Sequence, residues 1–94
     1  MYLTADAALG VCAAAATRGL LIYRIEGGIW HEGRGCEMRL GAIWDSRVEP
    51  PVDVTEANAS NLRLASLIRD EPENCDTFVL SMIAIEGRLG QFDA

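Results

Sequence analysis

Apolar and polar residues alternate most regularly between residues 36 and 44. The even-numbered, mostly apolar positions of this segment are Cys36, Met38, Leu40, Ala42 and Trp44. The positions between them are Glu37, Arg39, Gly41 and Ile43. Because successive side chains of a strand point to opposite faces, a period of two predicts a strand with one buried face. We expect the five even-numbered side chains to face the core.

Strand-like sequence also precedes this segment. Residues 20–26 form a short run rich in aliphatic side chains, which is typical of a strand. Gly27-Gly28 fits a tight turn or a β-bulge, and residues 29–31 continue as extended chain. Gly33-Arg34-Gly35 is the better candidate for a turn. Residues 20–44 are therefore predicted to form an antiparallel hairpin or a three-strand meander.

The first 18 residues are dominated by a helical signal. Residues 4–18 are rich in alanine, which has the highest helix propensity. Thr4 or Asp6 can cap the first turn, because their side-chain oxygens accept hydrogen bonds from unpaired backbone N–H groups. Gly19 is placed to end the helix in the left-handed conformation. We predict a helix over residues 4–18.

A second helix is predicted over residues 54–70. Asp53 and Glu56 have the spacing of a capping box at its start. Its apolar face is formed by Ala57, Leu64, Ala65 and Ile68. Asn61 is the one polar member of that face. We expect Pro72, together with the two acidic residues before it, to end the helix.

The last apolar segment, residues 77–85, is apolar on both faces. Its β-branched residues favour a strand, and with both faces covered this strand would be central in the sheet. A short buried helix capped by Asp76 is the alternative. The whole chain is thus predicted to be one α+β domain over residues 1–94. Two helices pack on one face of a mostly antiparallel sheet of three to four strands, in the order α-β-β-(β)-α-β.

The charge balance limits the classes of partner. The chain of 94 residues has 14 acidic side chains against eight cationic ones, all of them arginine, for a net charge of −6. Like charges repel, so direct binding to nucleic acid or to an anionic membrane surface is disfavoured. No segment reaches the roughly 18 apolar residues that a membrane span needs. The acidity suits a protein partner with a basic surface.

Cysteine usage indicates a reducing compartment. Cys12, Cys36 and Cys75 are odd in number and far apart, unlike a disulfide framework or a zinc site. Cys12 and Cys36 are expected to be small buried side chains. We therefore predict free thiols and a cytoplasmic location.

Groups that could carry chemistry are few. His31, Glu32 and Cys36 lie near a predicted turn and include metal-ligand and nucleophile types. A metal site needs three or four ligands, and a cysteine nucleophile needs a base and an oxyanion hole. The glycines near residues 27–35 punctuate strands and do not lead into a helix, as a phosphate-binding loop would. We predict no catalytic residue, no metal and no cofactor, so the chain is not expected to be an enzyme.

Acidic residues stand on both sides of the second helix. Those before or within its first turn are Asp45, Glu49, Asp53 and Glu56. Those after it are Asp70, Glu71, Glu73 and Asp76. They form either a solvated rim or an anionic surface that docks on basic groups of a partner. Tyr23 and Trp30 are candidate aromatic anchors of the same surface, although core packing is the favoured alternative for Trp30.

These observations favour binding over catalysis. The first hypothesis is a small acidic inhibitor that occupies a basic, nucleic-acid-binding type of surface on another protein. An anti-CRISPR protein, another phage anti-defence protein and an immunity protein all fit this class. The alternatives are a small-ligand binder or enzyme subunit with a pocket at a homodimer interface, and a structural or assembly component.

Overall fold

A computed structural model of the chain describes residues 2–71 and 73–87. Its elements are α1 (Ala5–Ala14), a short 3₁₀ turn (Ala16–Arg18), β1 (Leu20–His31), β2 (Gly35–Asp45), α2 (Val54–Arg69) and β3 (Thr77–Ala84). The three strands form one antiparallel sheet in the order β2-β1-β3. The predicted α+β fold is confirmed, with a three-stranded sheet. Pro72 lies outside the described residues, so its predicted role in ending the second helix is not addressed.

The helices cover one face of the sheet. On the central strand β1, Ile25 lies opposite Trp44 of β2 and Leu80 of β3, and all three belong to or pack against the main core. Glu26 is the next residue, so it points to the other side, with Ile43 and Val79 opposite it. We name this side the outer face. On β1 the outer face consists of Arg24, Glu26, Gly28 and Trp30.

Small side chains bring α1 close to the sheet. Ala8, Cys12 and Ala15 are buried against Ile22 and Phe78 in the main core. The fully buried aliphatic and aromatic side chains each contribute roughly 1.5–3 kcal/mol through removal of apolar surface from water. The predicted single helix over residues 4–18 is interrupted after α1, where the chain tightens into the 3₁₀ turn.

The apolar residues of β3 serve two separate clusters, which corrects the expectation of a central strand. Phe78 and Leu80 belong to or pack against the main core, whereas Ile83 packs on a second cluster built around Leu21. Val48 and other residues of the segment before α2 also pack on this second cluster. Both faces of β3 are therefore partly covered although β3 is an edge strand. The strand alternative for residues 77–85 is the one observed, over Thr77–Ala84.

An irregularity in β1 aligns its side chains with the core. Tyr23 is an extra residue with no partner in β3. Such a bulge shifts the alternation by one position. As a result Ile22 and Ile25, which are three positions apart, both enter the main core.

A larger bulge interrupts β2. Glu26 of β1 pairs with Ile43 of β2, and the next pair along the strands is Gly28 with Met38. Four residues of β2 therefore stand opposite the single residue Gly27. We name these four residues, 39–42, the β2 bulge.

The β2 bulge explains why part of the predicted core set is wrong. Ala42 is fully buried and Trp44 packs on the core, as expected, but Leu40 is 89% exposed. Because four residues of β2 stand opposite one residue of β1, β2 has three extra residues at this point. An odd number of extra residues reverses the alternation, so Cys36 and Met38 emerge on the outer face, opposite to Trp44. Leu40 itself lies in the bulge and points into solvent.

A buried asparagine completes the hydrogen bonding of β1. The pairing with β2 stops at Arg24 and Asp45, which leaves the start of β1 without a partner on that side. Asn61 of α2 is fully buried there. Its Oδ1 accepts a hydrogen bond from the Ile22 N–H at 2.9 Å, and its Nδ2 donates to the Leu20 carbonyl oxygen at 3.2 Å. This role explains the one polar residue on the apolar face of the helix.

We predict that Asn61→Ala lowers the free energy of unfolding by about 1–3 kcal/mol, because it leaves two buried backbone groups without partners. Urea denaturation measures the change. Asn58→Ala on the same helix is the control, since the Asn58 side chain forms no hydrogen bond with the described residues. Equal losses of stability in the two variants would contradict the role of Asn61.

Candidate protein-binding surface

The acidic residues at the start of α2 stabilise the helix itself. The Oδ1 atom of Asp53 accepts a hydrogen bond from the Glu56 N–H at 2.7 Å, so the predicted N-cap is observed. Glu56 lies in the first turn, where a negative charge interacts favourably with the helix dipole. Asp53 therefore has the folding role that the capping-box spacing predicts, in addition to its assignment to a binding surface.

Asp45 is paired within the chain. Its Oδ1 lies 2.7 Å from Nε of Arg24, and this hydrogen bond holds the pKa of the Asp45 carboxyl below its ordinary value. Both side chains are about half exposed. An exposed ion pair of this kind contributes little to stability, because solvent and salt screen it. The Asp45 backbone oxygen also accepts a hydrogen bond from Nη2 of Arg63 at 2.8 Å, which ties the end of β2 to α2.

A groove beside Asp45 brings three predicted residues together. Tyr23, Asp45 and Glu49 line a groove of about 430 Å³, with Val48 and Ile83 among its apolar residues. The Tyr23 side chain is 46% exposed. An aromatic ring and two carboxylates can together receive a cationic side chain, through ion pairing and contact with the ring face. This groove is one part of the candidate surface.

The acidic residues after α2 divide into two kinds. Glu71 accepts hydrogen bonds from the backbone N–H groups of Glu73 and Cys75, and Asp76 accepts one from the Trp30 N–H at 2.9 Å. These two side chains organise the connection into β3. Asp70 and Glu73 are exposed, and their carboxylates form no hydrogen bond or ion pair with the described residues. Asp70 and Glu73 can therefore contact a partner without loss of an internal hydrogen bond.

Trp30 lies on the outer face, which corrects the favoured expectation that it packs in the core. Its side chain is 48% exposed, and its ring meets that of Tyr2 edge-on, with the centroids 5.5 Å apart. Tyr2, Trp30 and Asp76 line a shallow groove of about 250 Å³ together with Thr77. Trp30 was hard to assign from sequence because the glycines before it obscure the strand phase.

The predicted site residues therefore form two separate patches. Tyr23 and Trp30 are seven positions apart on β1, which corresponds to roughly 20 Å at about 3.3 Å per residue. The acidic groups at the two ends of α2 are separated by a comparable distance, since its 16 residues span about 24 Å. The outer face of the sheet connects the two patches.

Exposed apolar side chains of β2 were missed. The alternation predicts that Met38 and Leu40 face the core, but both are exposed. The available signal was the pair Gly27-Gly28, for which a bulge was one of two alternatives. A bulge at that point changes the phase of the opposing strand, and the outcome depends on how many residues it contains.

The cysteines are poor nucleophiles in this structure. Burial raises the pKa of Cys12 to about 11, and burial together with Glu71 and Glu73 raises that of Cys75 to about 12. Burial also raises the pKa of Cys36. The thiolate is the reactive form, so these thiols are mainly protonated near neutral pH.

His31 bonds to a carboxylate of the same hairpin. Its Nε2 lies 2.8 Å from Oε1 of Glu37, and the hydrogen bond lowers the pKa of that carboxyl. Over residues 2–71 and 73–87, no group of three or more histidine, cysteine or acidic side chains is arranged to hold a metal ion. Neither α-helix in these ranges is both long enough and apolar enough to cross a membrane.

Comparison with known proteins gives one relative of high similarity. Over 87 residues the chain is 48% identical to a protein of Burkholderia pseudomallei named "Immunity protein CdiI". The aligned region covers 93% of this chain and 78% of the relative. No protein-family model matches the chain.

The bond between Asp76 and Trp30 predicts an effect of pH on stability. Hydrogen bonds from the Trp30 N–H and the Thr77 hydroxyl lower the pKa of Asp76 in the folded state. Its contribution is therefore present above the ordinary value of about 4 and is lost as the pH falls through the folded-state pKa. Asp76→Asn should make the acid-side fall in the free energy of unfolding shallower, as measured by urea denaturation between pH 5 and pH 2.

Glu32→Gln is the control for this measurement, since Glu32 lies in the exposed hairpin turn. It should follow the wild-type curve. Parallel curves for Asp76→Asn and the wild type would show that the Asp76 bonds do not contribute to acid stability.

Proposed function

The chain belongs to the family of CdiI immunity proteins, and we propose that it neutralises a toxin by binding to it. An immunity protein protects the cell that makes it by inhibiting a toxin protein. The identity of 48% over nearly the whole chain is the observation that carries this proposal. The anti-CRISPR and other phage anti-defence forms of the inhibitor hypothesis have no comparable support.

The charge supports a basic surface on the toxin. With a net charge of −6, the chain would be steered toward a positive surface, and complementary charges raise association rates and reject wrong partners. The carboxylates of Asp70 and Glu73 are available for such contacts. A toxin that acts on nucleic acid would need a basic groove, so covering that groove would block the substrate as well.

Two aromatic side chains extend the proposed contact over the outer face. Trp30 lies at one end of this face, and Tyr23 lies next to Arg24 at its other end; both are about half exposed. Aromatic residues are enriched among those that dominate binding energy at interfaces. Binding along the outer face would use both patches, whereas binding at one end would use one aromatic residue and its neighbouring acids.

Inhibition of this kind needs no catalytic group on the immunity protein. The raised pKa values of Cys12 and Cys75 fit a binding role. A cytoplasmic location is proposed on the basis of three free thiols. A homodimer is a further proposal, which the sedimentation of the purified protein tests.

We predict that the double variant Asp70→Arg/Glu73→Arg weakens binding to the toxin that the chain neutralises. Glu71 and Asp76 are left unchanged because their carboxylates bond to the backbone. The wild-type affinity should fall between 0.1 M and 1 M salt, as the Debye length shrinks from about 10 Å to about 3 Å. Surface plasmon resonance at both salt concentrations measures the two effects.

Glu32→Arg is the matched control, because it reverses an exposed charge outside both acidic groups. Growth of cells that express the toxin with each variant provides an independent measure of neutralisation. A wild-type chain that neither binds nor neutralises the toxin would overturn the proposed function. Unchanged affinity of the double variant at both salt levels would instead remove Asp70 and Glu73 from the interface.

A further inference from the structure

Leu40 is the most exposed large apolar side chain among the described residues. Its exposed fraction is 89%, and the next is Tyr2 at 58%. It lies in the β2 bulge, whereas an uninterrupted alternation would have buried it on the face of Trp44. Leu40 therefore faces the solvent because of the bulge, although the alternation of the surrounding sequence predicts that it faces the core.

The β2 bulge is held at both ends by close contacts. Ala42 at one end is fully buried, and a Cβ atom on Gly27 would lie 3.0 Å from the Ala42 Cβ. Just before the other end, a Cβ atom on Gly28 would lie 2.6 Å from the Glu37 carbonyl oxygen. The two glycines therefore allow β2 to pass closely over β1 on either side of Leu40. Bulges of this kind re-aim a side chain and are specific features of a fold.

A carboxylate lies next to Gly41, the residue that follows the exposed leucine. Gly41 follows Leu40, and Oε1 of Glu73 lies 3.2 Å from the position of a Cβ atom on Gly41. Glu73 forms no side-chain hydrogen bond or ion pair with the described residues, as shown above. An exposed apolar side chain with a carboxylate nearby matches the general make-up of a protein interface, which has an apolar centre and a polar rim.

We propose that the β2 bulge is a docking element for the toxin, in which Leu40 enters an apolar pocket and Glu73 pairs with a basic group at the rim of that pocket. The proposal rests on the proposed immunity function and specifies the contact. The acidity of Glu73 and of the whole chain selects a basic toxin surface as the occupant. A second copy of this chain, which is equally acidic, would be repelled from the same position.

The test compares the binding of Leu40→Ala and Leu62→Ala to the purified toxin that the chain neutralises. Leu62 is an exposed leucine of α2, 42% accessible, and serves as the matched control. Leu40→Ala should weaken binding more than about tenfold, mainly through faster dissociation, while Leu62→Ala stays within about twofold of the wild type. Both variants should keep the wild-type unfolding midpoint.

A double-mutant cycle with Glu73→Gln tests whether the two residues form one contact. Non-additive losses in affinity would support the shared contact, since independent sites add. Wild-type affinity of Leu40→Ala for the toxin would overturn the docking element while leaving the immunity function intact. A wild-type dimer that Leu40→Ala converts to a monomer, with unchanged toxin binding, would assign the bulge to self-association instead. If the wild type does not bind the toxin, the proposed immunity function itself is wrong, and the docking element falls with it.

Discussion

The fold depends on satisfying the backbone of the central strand β1 on both sides. Strand β3 pairs with most of the length of β1, but β2 pairs with β1 only from Arg24 onward. A buried N–H or carbonyl group without a partner is costly, so the start of β1 needs another source of hydrogen bonds. Asn61 supplies it from α2. The position of α2 is therefore fixed by directional bonds to the sheet as well as by apolar packing.

The sequence predicts elements whose signals are local. The caps at Thr4 and Asp53, the left-handed Gly19 and the helix over Val54–Arg69 all follow from short spacings. The strand at Thr77–Ala84 was the favoured of two alternatives. These features depend on a few neighbouring residues, so they can be read along the chain without knowledge of the packing.

The phase of β2 could not be predicted in the same way. It depends on the number of residues that stand opposite Gly27, which is set by close approach between two strands. An even number of extra residues would have kept Met38 on the face of Trp44, whereas the three extra residues reverse it. Alternation within a strand gives the spacing of buried positions only while the pairing is regular.

The candidate site was only partly predictable for a related reason. The sequence shows the helix cap at Asp53, but it does not show that Glu71 and Asp76 also serve the fold. Asp53 caps a helix, and Glu71 and Asp76 bond to backbone N–H groups. Long-range electrostatic attraction acts through all the carboxylates, whatever their local bonds. Close contacts with a partner favour those, such as Asp70 and Glu73, that give up no internal bond.

Size also constrains how such a chain can inhibit another protein. The described residues form a main core and a smaller second cluster, and the grooves beside Asp45 and Trp30 are open depressions between neighbouring elements. Enclosing a segment of a partner needs a deeper cavity than these. Covering the partner with a face, or inserting a side chain from a protrusion, needs only a rigid support. The sheet provides that support for Tyr23 and Trp30 on β1 and for the β2 bulge at its edge.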